Sequence, residues 1–447
     1  MTTARFMHLN AFLMTTGHHE ASWRLPESDP HAGTDLAHFT HLARLAETGR
    51  MDSVFFADSP GLQGDVGRRP SGILDPTMLL AALAAATEHI GLIATASTTY
   101  NDPFNLARRF ASLDHLSGGR AGWNIVTTAN VEAARNFGLE TQPTHHDRYE
   151  RAAEFVDVTR KLWDSWTDDA VLGDKQAGVW AESSRVRPIN HHGWHYRIGG
   201  PLNTPRPPQG HPVLVQAGSS TEGKDFAADH AEAIFTAQQT LSHAQTFYSD
   251  VKTRISHTGR DPERVKILPG VVPVIGSTEA EARQVAEQLD ELIVTKHAHT
   301  QLARTLRRHP DELPLDRPLP ADLPTEDDIE GAKSRYSLIV TLAREENLTV
   351  RELIGRLGGG RGHRTFTGTP EQVADTLQHW FTTGAADGFN IMPAVLPSGL
   401  QAFVEHVIPL LQQRGLFRTD YTGTTLREHY DLSQPGNQYE HEHAAIA

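Results

Sequence analysis

Eight short apolar runs, each followed by a stretch of helical periodicity, constrain this chain more than any other feature. The runs are FMHLNAFLM (6–14), MDSVFFAD (51–58), IGLIATAS (90–97), AGWNIVTT (121–128), PVLVQAGS (212–219), 233–237, 265–276 and GFNIMPA (388–394). Helical patterns follow over 35–50, 76–89, 105–116, 146–166, 221–230, 243–258, 278–295 and 400–414, with one more over 369–384 before the last run. The ends of these patterns carry ordinary signals. Thr34 stands at a cap position, Pro76 in a first turn, and Ser117-Gly118-Gly119 closes a helix. Apolar, β-branched strands alternating with helices imply a parallel sheet covered on both faces. Eight such units predict a closed (β/α)8 TIM barrel with insertions. The alternative is a doubly wound sheet in two domains, but no G-x-G-x-x-G follows the first strand.

At about 150 residues per domain, 447 residues suggest about three domains. A barrel with insertions absorbs that length in one. Residues 1–418 read as a single barrel, interrupted at 167–211 and at 297–368. The first interruption is rich in Pro, Gly and His and reads as a loop or hairpin. The second is polar and Pro-rich, with a helical stretch at Lys333–Glu346, and is a candidate lid or oligomer contact. Residues 419–447 read as a polar, His/Glu-rich tail.

Composition removes several classes. There is no cysteine, hence no disulfide, thiolate metal site or cysteine nucleophile. The net charge of −14 argues against a nucleic-acid binder. No apolar run reaches the ~20 residues of a membrane helix. No secretory signal is evident, so a cytoplasmic enzyme without a membrane partner is expected.

In a barrel, function gathers at the C-terminal ends of the strands. Those ends are polar here: Thr16-Gly17-His18-His19-Glu20 after the first strand, Asp58 after the second, Thr95 and Ser97 in the third, Asn124 and Thr128 in the fourth, Gly218-Ser219-Ser220 after the fifth. The last of these opens a helix, where free backbone N–H groups hold phosphate. On residue type alone an ordinary N-cap is the favoured reading. Asp58 can accept from a ring N–H or simply cap a loop. Asn124, an amide inside an apolar strand, needs partners, from a ligand edge or from the neighbouring strand. The 26 histidines invite a metal test. His18-His19, His145-His146 and His191-His192 are adjacent pairs, which do not share a helix or strand face. No H-E-x-x-H occurs, and no metal site is expected.

Taken together and in order, FFADSPG (55–61), LDHLSGGRAGWNIVTT (113–128), HDRYERAAEF (146–155), KLWDSW (161–166), PVLVQAGSSTEGKDFAA (212–228) and DGFNIMP (387–393) carry a resemblance. The chain resembles the bacterial luciferase-like flavin monooxygenases, in the branch containing nitrilotriacetate, dibenzothiophene-sulfone and long-chain alkane monooxygenases. The resemblance implies a (β/α)8 barrel that binds FMN as FMNH2. It also implies a separate NAD(P)H:FMN reductase, reaction with O2 through a C4a-(hydro)peroxyflavin, and a small organic substrate: a sulfur compound, aminopolycarboxylate or alkane. A homodimer or homotetramer is implied as well. By position, Asp58, Thr95, Ser97, Asn124 and Thr128 would lie around the flavin. His146, Tyr149, Gly218, Ser219 and Ser220 would lie around its ribityl phosphate. His19, or its rival His8, would sit near the reactive edge as a proton relay, with His8 equally readable as a packed core residue. Arg24, Arg68, Arg69 and Arg361 are candidates for a substrate carboxylate or sulfonate. The other classes weighed are a reduced-deazaflavin oxidoreductase and a metal-dependent barrel hydrolase.

Overall fold

A computed structural model describes residues 5–62, 66–68, 70, 74–325, 328–329, 333–360 and 362–439. The chain begins with β1 (His8–Phe12), α1 (Leu36–Thr48), β2 (Ser53–Phe56), α2 (Pro76–Ala84), β3 (Gly91–Ser97), α3 (Pro103–Ser117) and β4 (Ala121–Val126). Helices α4 (Val131–Asn136) and α5 (His145–Trp163) follow. The first interruption forms two hairpins, β5 (Val171–Asp174) with β6 (Val179–Ala181), and β7 (His191–His192) with β8 (Arg197–Ile198). The rhythm then resumes with β9 (Val213–Gln216), α6 (Thr221–His230), β10 (Ala233–Thr236), α7 (Leu241–His257), β11 (Lys266–Ile275) and α8 (Glu279–Glu291).

The barrel closes through parallel pairings in the order β1, β2, β3, β4, β9, β10, β11, β13 and back to β1, with β13 spanning Gly388–Ile391. The (β/α)8 expectation holds. Strand alternation divides the core in two. Leu9, Val54, Leu92, Trp123 and Phe389 point outward into the layer under the helices. Phe12, Phe55, Ile93, Val215, Phe235, Val272 and Met392 fill the interior. The first helix is capped by Asp35, which accepts from the Ala37 N–H, rather than by Thr34.

The second interruption holds more structure than its composition suggests. It contains α9 (Thr295–Thr305), α10 (Lys333–Glu345) and α11 (Val350–Gly360), wrapped around their own core of Leu302, Leu306, Leu313, Tyr336, Ile339 and Leu353. It then ends in a ninth parallel strand, β12 (Arg364–Gly368). Strand β11 runs past the barrel rim, and its overshoot, Val271 to Ile275, pairs with β12. α12 (Pro370–Thr382) leads from there to β13.

The segment expected to be a polar tail closes the N-terminal end of the barrel. Leu426 and Tyr430, on a short C-terminal helix (Leu426–His429) and just after it, are fully buried among Ile93 and Val213. The Tyr430 hydroxyl donates to Asn10 Oδ1 at 2.7 Å. Arg427 grips Glu232 with two bonds of 2.7 and 2.9 Å. Leu426, Tyr430 and Leu432, in an otherwise polar stretch, suffice to plug the barrel. His441 and His443 lie outside the described residues. Among the described residues no helix is long and apolar enough to cross a membrane.

Candidate functional site

The C-terminal mouth of the barrel opens into a cavity of about 620 Å³, within the range of small-molecule sites. Its walls come from the ends of β4, β9 and β10, the first turns of α5 and α6, and α10 of the insertion. Tyr149, Ser219, Gln238, Arg335 and His363 face it from different sides.

Strand β4 shows how the sequence builds one wall. Trp123 and Ile125 point outward, and the Trp123 indole donates to the Ala96 carbonyl at 3.0 Å. Asn124 therefore turns inward. Its Nδ2 donates to Thr95 Oγ1 at 2.8 Å, while its Oδ1 is buried without a hydrogen-bond donor. Leaving such an acceptor unmatched costs on the order of 1–3 kcal/mol, which packing does not recover. Just beyond, Ser97 Oγ accepts from the N–H groups of Thr99 and Tyr100 and from Thr128 Oγ1, the last at 2.8 Å. Thr128 sits at φ +38°, a strained region for a β-branched residue. Ser97 thus holds a tight bend at the strand end. Asp58, after β2, is half-buried, and burial together with the nearby Asp75 charge pushes its carboxyl above the usual range.

Strand β9 leads into Gly218-Ser219-Ser220. Ser220 caps α6, its Oγ accepting from the Gly223 N–H at 3.1 Å. The Tyr149 hydroxyl is hydrogen-bonded to Ser220 and Thr127, and burial raises its pKa. A Cβ at Gly218 would stand 2.9 Å from the backbone Cα of Gly223 and 3.1 Å from the Tyr149 hydroxyl, so the turn favours glycine. The cap reading and the anion-site reading are therefore compatible, since the same turn presents N–H groups to the cavity wall.

The structure gathers Thr95, Ser97, Asn124, Thr128, Tyr149, Gly218, Ser219 and Ser220 around the mouth. His146 is not among them. It lies exposed on α5, while His145, Arg148 and Tyr149 line the cavity. Spacing of three and four residues puts those three on one helix face, and His146 is about 100° away. The histidine of this pair that lines the cavity is His145, whose ring packs 4.9 Å from that of Tyr149. Arg148 is buried, with one guanidinium N–H on the Pro143 carbonyl.

His8 is at the opposite end of the barrel. Its Nδ1 is 3.1 Å from Asp52, and its ring stands edge-on to Tyr430. It begins β1, so it belongs to the floor, and the packed-core reading applies. His19 is at the mouth, but both ring nitrogens are engaged. Nδ1 accepts from the Ala21 N–H at 3.2 Å, so Nε2 carries the proton and donates to Asp290 at 3.2 Å. That geometry ties the first loop to α8. Its neighbour His18 is the ring that packs edge-on against interior Phe12, with Nε2 on the Phe12 carbonyl.

Arg24 and Arg68 line a small separate pocket with Trp23 and His297, away from the main cavity. Arg69 and Arg361 lie outside the described residues. Arg335 and His363 were not legible as site residues, because both belong to an insertion whose register only tertiary packing sets. Among the described residues no three His, Asp or Glu side chains converge as metal ligands.

A closed parallel barrel with a ligand-sized cavity at its C-terminal mouth, under a helical cover, defines a barrel enzyme. Comparison with known proteins specifies which kind: the luciferase-like monooxygenase family matches residues 15–387, and the chain belongs to it. It is 47% identical over 444 residues to nitrilotriacetate monooxygenase component A of Aminobacter aminovorans, covering 96% of this chain and 97% of that one. It is also 47% identical over 433 residues to N-acetyl-S-(2-succino)cysteine monooxygenase of Bacillus subtilis, covering 96% and 98%. Among solved structures, a riboflavin lyase with modified FMN superposes with a TM-score of 0.85 at 31% identity, covering 95% of each chain.

Proposed function

We propose that this chain is the oxygenase component of a two-component cytoplasmic system. It takes reduced FMN from a separate NAD(P)H:FMN reductase and uses O2 to oxygenate a small organic substrate. The observation that carries this reading is the buried Asn124 Oδ1, an inward-facing acceptor near the C-terminal end of β4 with no hydrogen-bond donor among the described residues. The N–H edge of a flavin ring would satisfy it. The rest of the site fits the same molecule. Ser219, Ser220 and the N-terminus of α6 would hold its phosphate, with Tyr149, His145 and Arg148 alongside. Asp58, Thr95, Ser97 and Thr128 would flank the ring and ribityl chain.

When bound, reduced flavin supplies the electron pair that activates dioxygen. The protein's own residues bind, orient and shield. The Asn124 amide fixes the ring edge, the Ser97–Thr128 bend sets the strand end, and α10 covers the cavity and excludes water. His19 is a positioning residue, holding the first loop against α8.

For the substrate, two relatives at 47% identity are named for nitrilotriacetate and for a succinylated cysteine, both carrying several carboxylates. Arg335 on α10 adds a positive charge to the cavity lining. We infer an aminopolycarboxylate or a carboxylated sulfur compound rather than an alkane, and a homodimer or homotetramer as the working state. Anaerobic titration with FMNH2, followed by 18O2 with nitrilotriacetate as the first probe, tests the function. Saturable FMNH2 binding and oxygen-dependent flavin oxidation are expected. A protein that ignores FMNH2 but binds a reduced deazaflavin would overturn the reading.

A further inference from the structure

Strand β10 ends at Thr236, and after Ala237 come two glutamines. Gln238 and Gln239 are each 8% exposed, and both line the cavity. A side-chain amide has donor N–H groups at one end and an acceptor oxygen at the other, and burying it without partners is costly. The donor ends are committed to the protein. Gln239 Nε2 donates to the Gly362 carbonyl at 2.6 Å, and Gln238 Nε2 donates to Thr236 Oγ1 at 2.9 Å. Thr236 Oγ1 lies 3.4 Å from Ser219 Oγ, so a polar row crosses the ends of β9 and β10. Gln238 Oε1 stands at the end of that row. It makes no hydrogen bond among the described residues, and it faces the cavity that the residue lines.

The flavin reading above gives the ends of β2, β3 and β4 to the ring and ribityl chain, and the turn after β9 to the phosphate. It leaves the end of β10 without a role. There Phe235 offers an apolar surface and Gln238 an acceptor beside it. Charge decides what an uncharged acceptor is for. The substrate class inferred above carries several carboxylates, and a carboxylate on this wall would repel them at short range. Among the described residues that line the cavity, Glu345 is the one acidic side chain, and it is paired with His243 at 3.3 Å. A glutamine oxygen accepts an N–H without adding negative charge.

We propose that Gln238 is a specificity-determining residue whose Oε1 accepts a hydrogen bond from an N–H of the substrate. The substrate is then a polycarboxylate with an amine or amide nitrogen close to its carboxylates. This rests on the monooxygenase reading above and narrows its substrate. Ionised carboxylates only accept hydrogen bonds. A tertiary amine set among them holds a proton at neutral pH, and that N–H is the single donor such a molecule offers. A polycarboxylate built on carbon alone, or an alkane, brings no donor and leaves Oε1 unmatched once water is excluded.

The test reads binding to the full chain loaded with reduced FMN, without O2, so that no turnover occurs. Two probe pairs differ only at the N–H. The first is nitrilotriacetate and methanetriacetate, which has C–H in place of the protonated nitrogen. The second is N-acetyl-S-(2-succino)cysteine and its ester analogue, in which oxygen replaces the amide N–H. Wild type is expected to bind the N–H member at least about tenfold more tightly in one pair or both. Gln238→Met, of similar length, is expected to bring the two members within about twofold by weakening the N–H member alone. Gln238→Glu keeps an acceptor, so it keeps the preference while weakening both members through repulsion. FMN affinity stays within about twofold of wild type in both variants. The wild-type preference is a test in itself, independent of how any variant folds. Absence of a preference in both pairs, or a preference that survives Gln238→Met, overturns the proposal. So does an equal loss of both members in Gln238→Met, which would make the amide a donor to carboxylates. Wild type that fails to bind reduced FMN overturns the flavin reading itself, whereas normal FMN binding with no N–H preference overturns the role of Gln238 alone.

Discussion

The two ends of the barrel are both polar and both carry histidine, yet they are built on opposite terms. At the floor the buried groups around Asn10 and Asp52 have found partners. Asn10 accepts from Ser53 and Tyr430 and donates to Asn390, which donates in turn to the Leu268 carbonyl. Asp52 meets His8, Arg418 and the Leu9 N–H. At the mouth, Asn124 keeps an unmatched acceptor, Thr128 holds a strained backbone, and a cavity stands open. The difference teaches that a buried polar residue is no sign of function by itself. The sign is an unsatisfied acceptor such as Asn124 Oδ1 together with a strained strand end and an open cavity at the same end of the barrel.

Four measurements would sharpen or break this contrast. The largest effect belongs to the floor. Burial opposes ionisation of Glu232, but Arg427 outweighs it and holds the carboxyl below its usual range. Arg427→Ala strands that carboxylate and is expected to cost about 3–5 kcal/mol in urea unfolding, with FMN affinity of the folded fraction unchanged. Equal loss of affinity would mean the two ends are coupled.

Acid should also strike the floor. Burial, with Arg160 and Arg260 nearby, lowers His230 to about 3. The unfolded chain then takes up a proton near pH 6.5 that the folded chain refuses, so stability is present above that pH and falls as pH drops toward 3. Between pH 7 and 5 the loss is about 2 kcal/mol. His230→Asn should abolish that part of the slope. An unchanged slope in the variant would locate the acid sensitivity elsewhere.

The mouth responds in binding rather than stability. Asn124→Ala is expected to weaken FMNH2 binding about tenfold, with unfolding changed by no more than about 1.5 kcal/mol, since the removed acceptor was already unpaired. A large stability loss with normal binding would make Asn124 a structural residue. The smallest effect separates neighbours on α5: His145→Ala should weaken FMN severalfold, and His146→Ala should leave it alone. Reversal of that pair would reinstate His146.

Much of the fold was legible because barrel strands carry apolar residues on both faces, and their polar ends stand out against that background. The rest was hidden for identifiable reasons. His8 lies in an apolar run that looked the same from either end, and only the pairing of β1 with β13 puts it on the floor. His146 beside His145 shows that a helix start must be placed to one residue before its facing side chains can be named. The insertion concealed Arg335 and His363 because its apolar residues are spread over short helices joined by Pro-rich loops. β12 there, RTFTG, is held by the β11 overshoot rather than by its own composition. The floor plug was invisible because Leu426, Tyr430 and Leu432 sit in a polar stretch whose partners lie in distant strands.

That plug gives the order of synthesis a physical meaning. Every barrel strand leaves the ribosome before the segment that seals them. From Ile391 to Tyr439, translation at about 5–20 residues per second takes several seconds. For that interval the nascent barrel has an open, apolar base and a lone Glu232 carboxylate. Chaperones that bind exposed apolar surface would meet it there, and release would follow arrival of Arg427 and Tyr430. Protein yield in the cell should therefore track the codons for residues 417–439 at least as closely as it tracks those of the catalytic end.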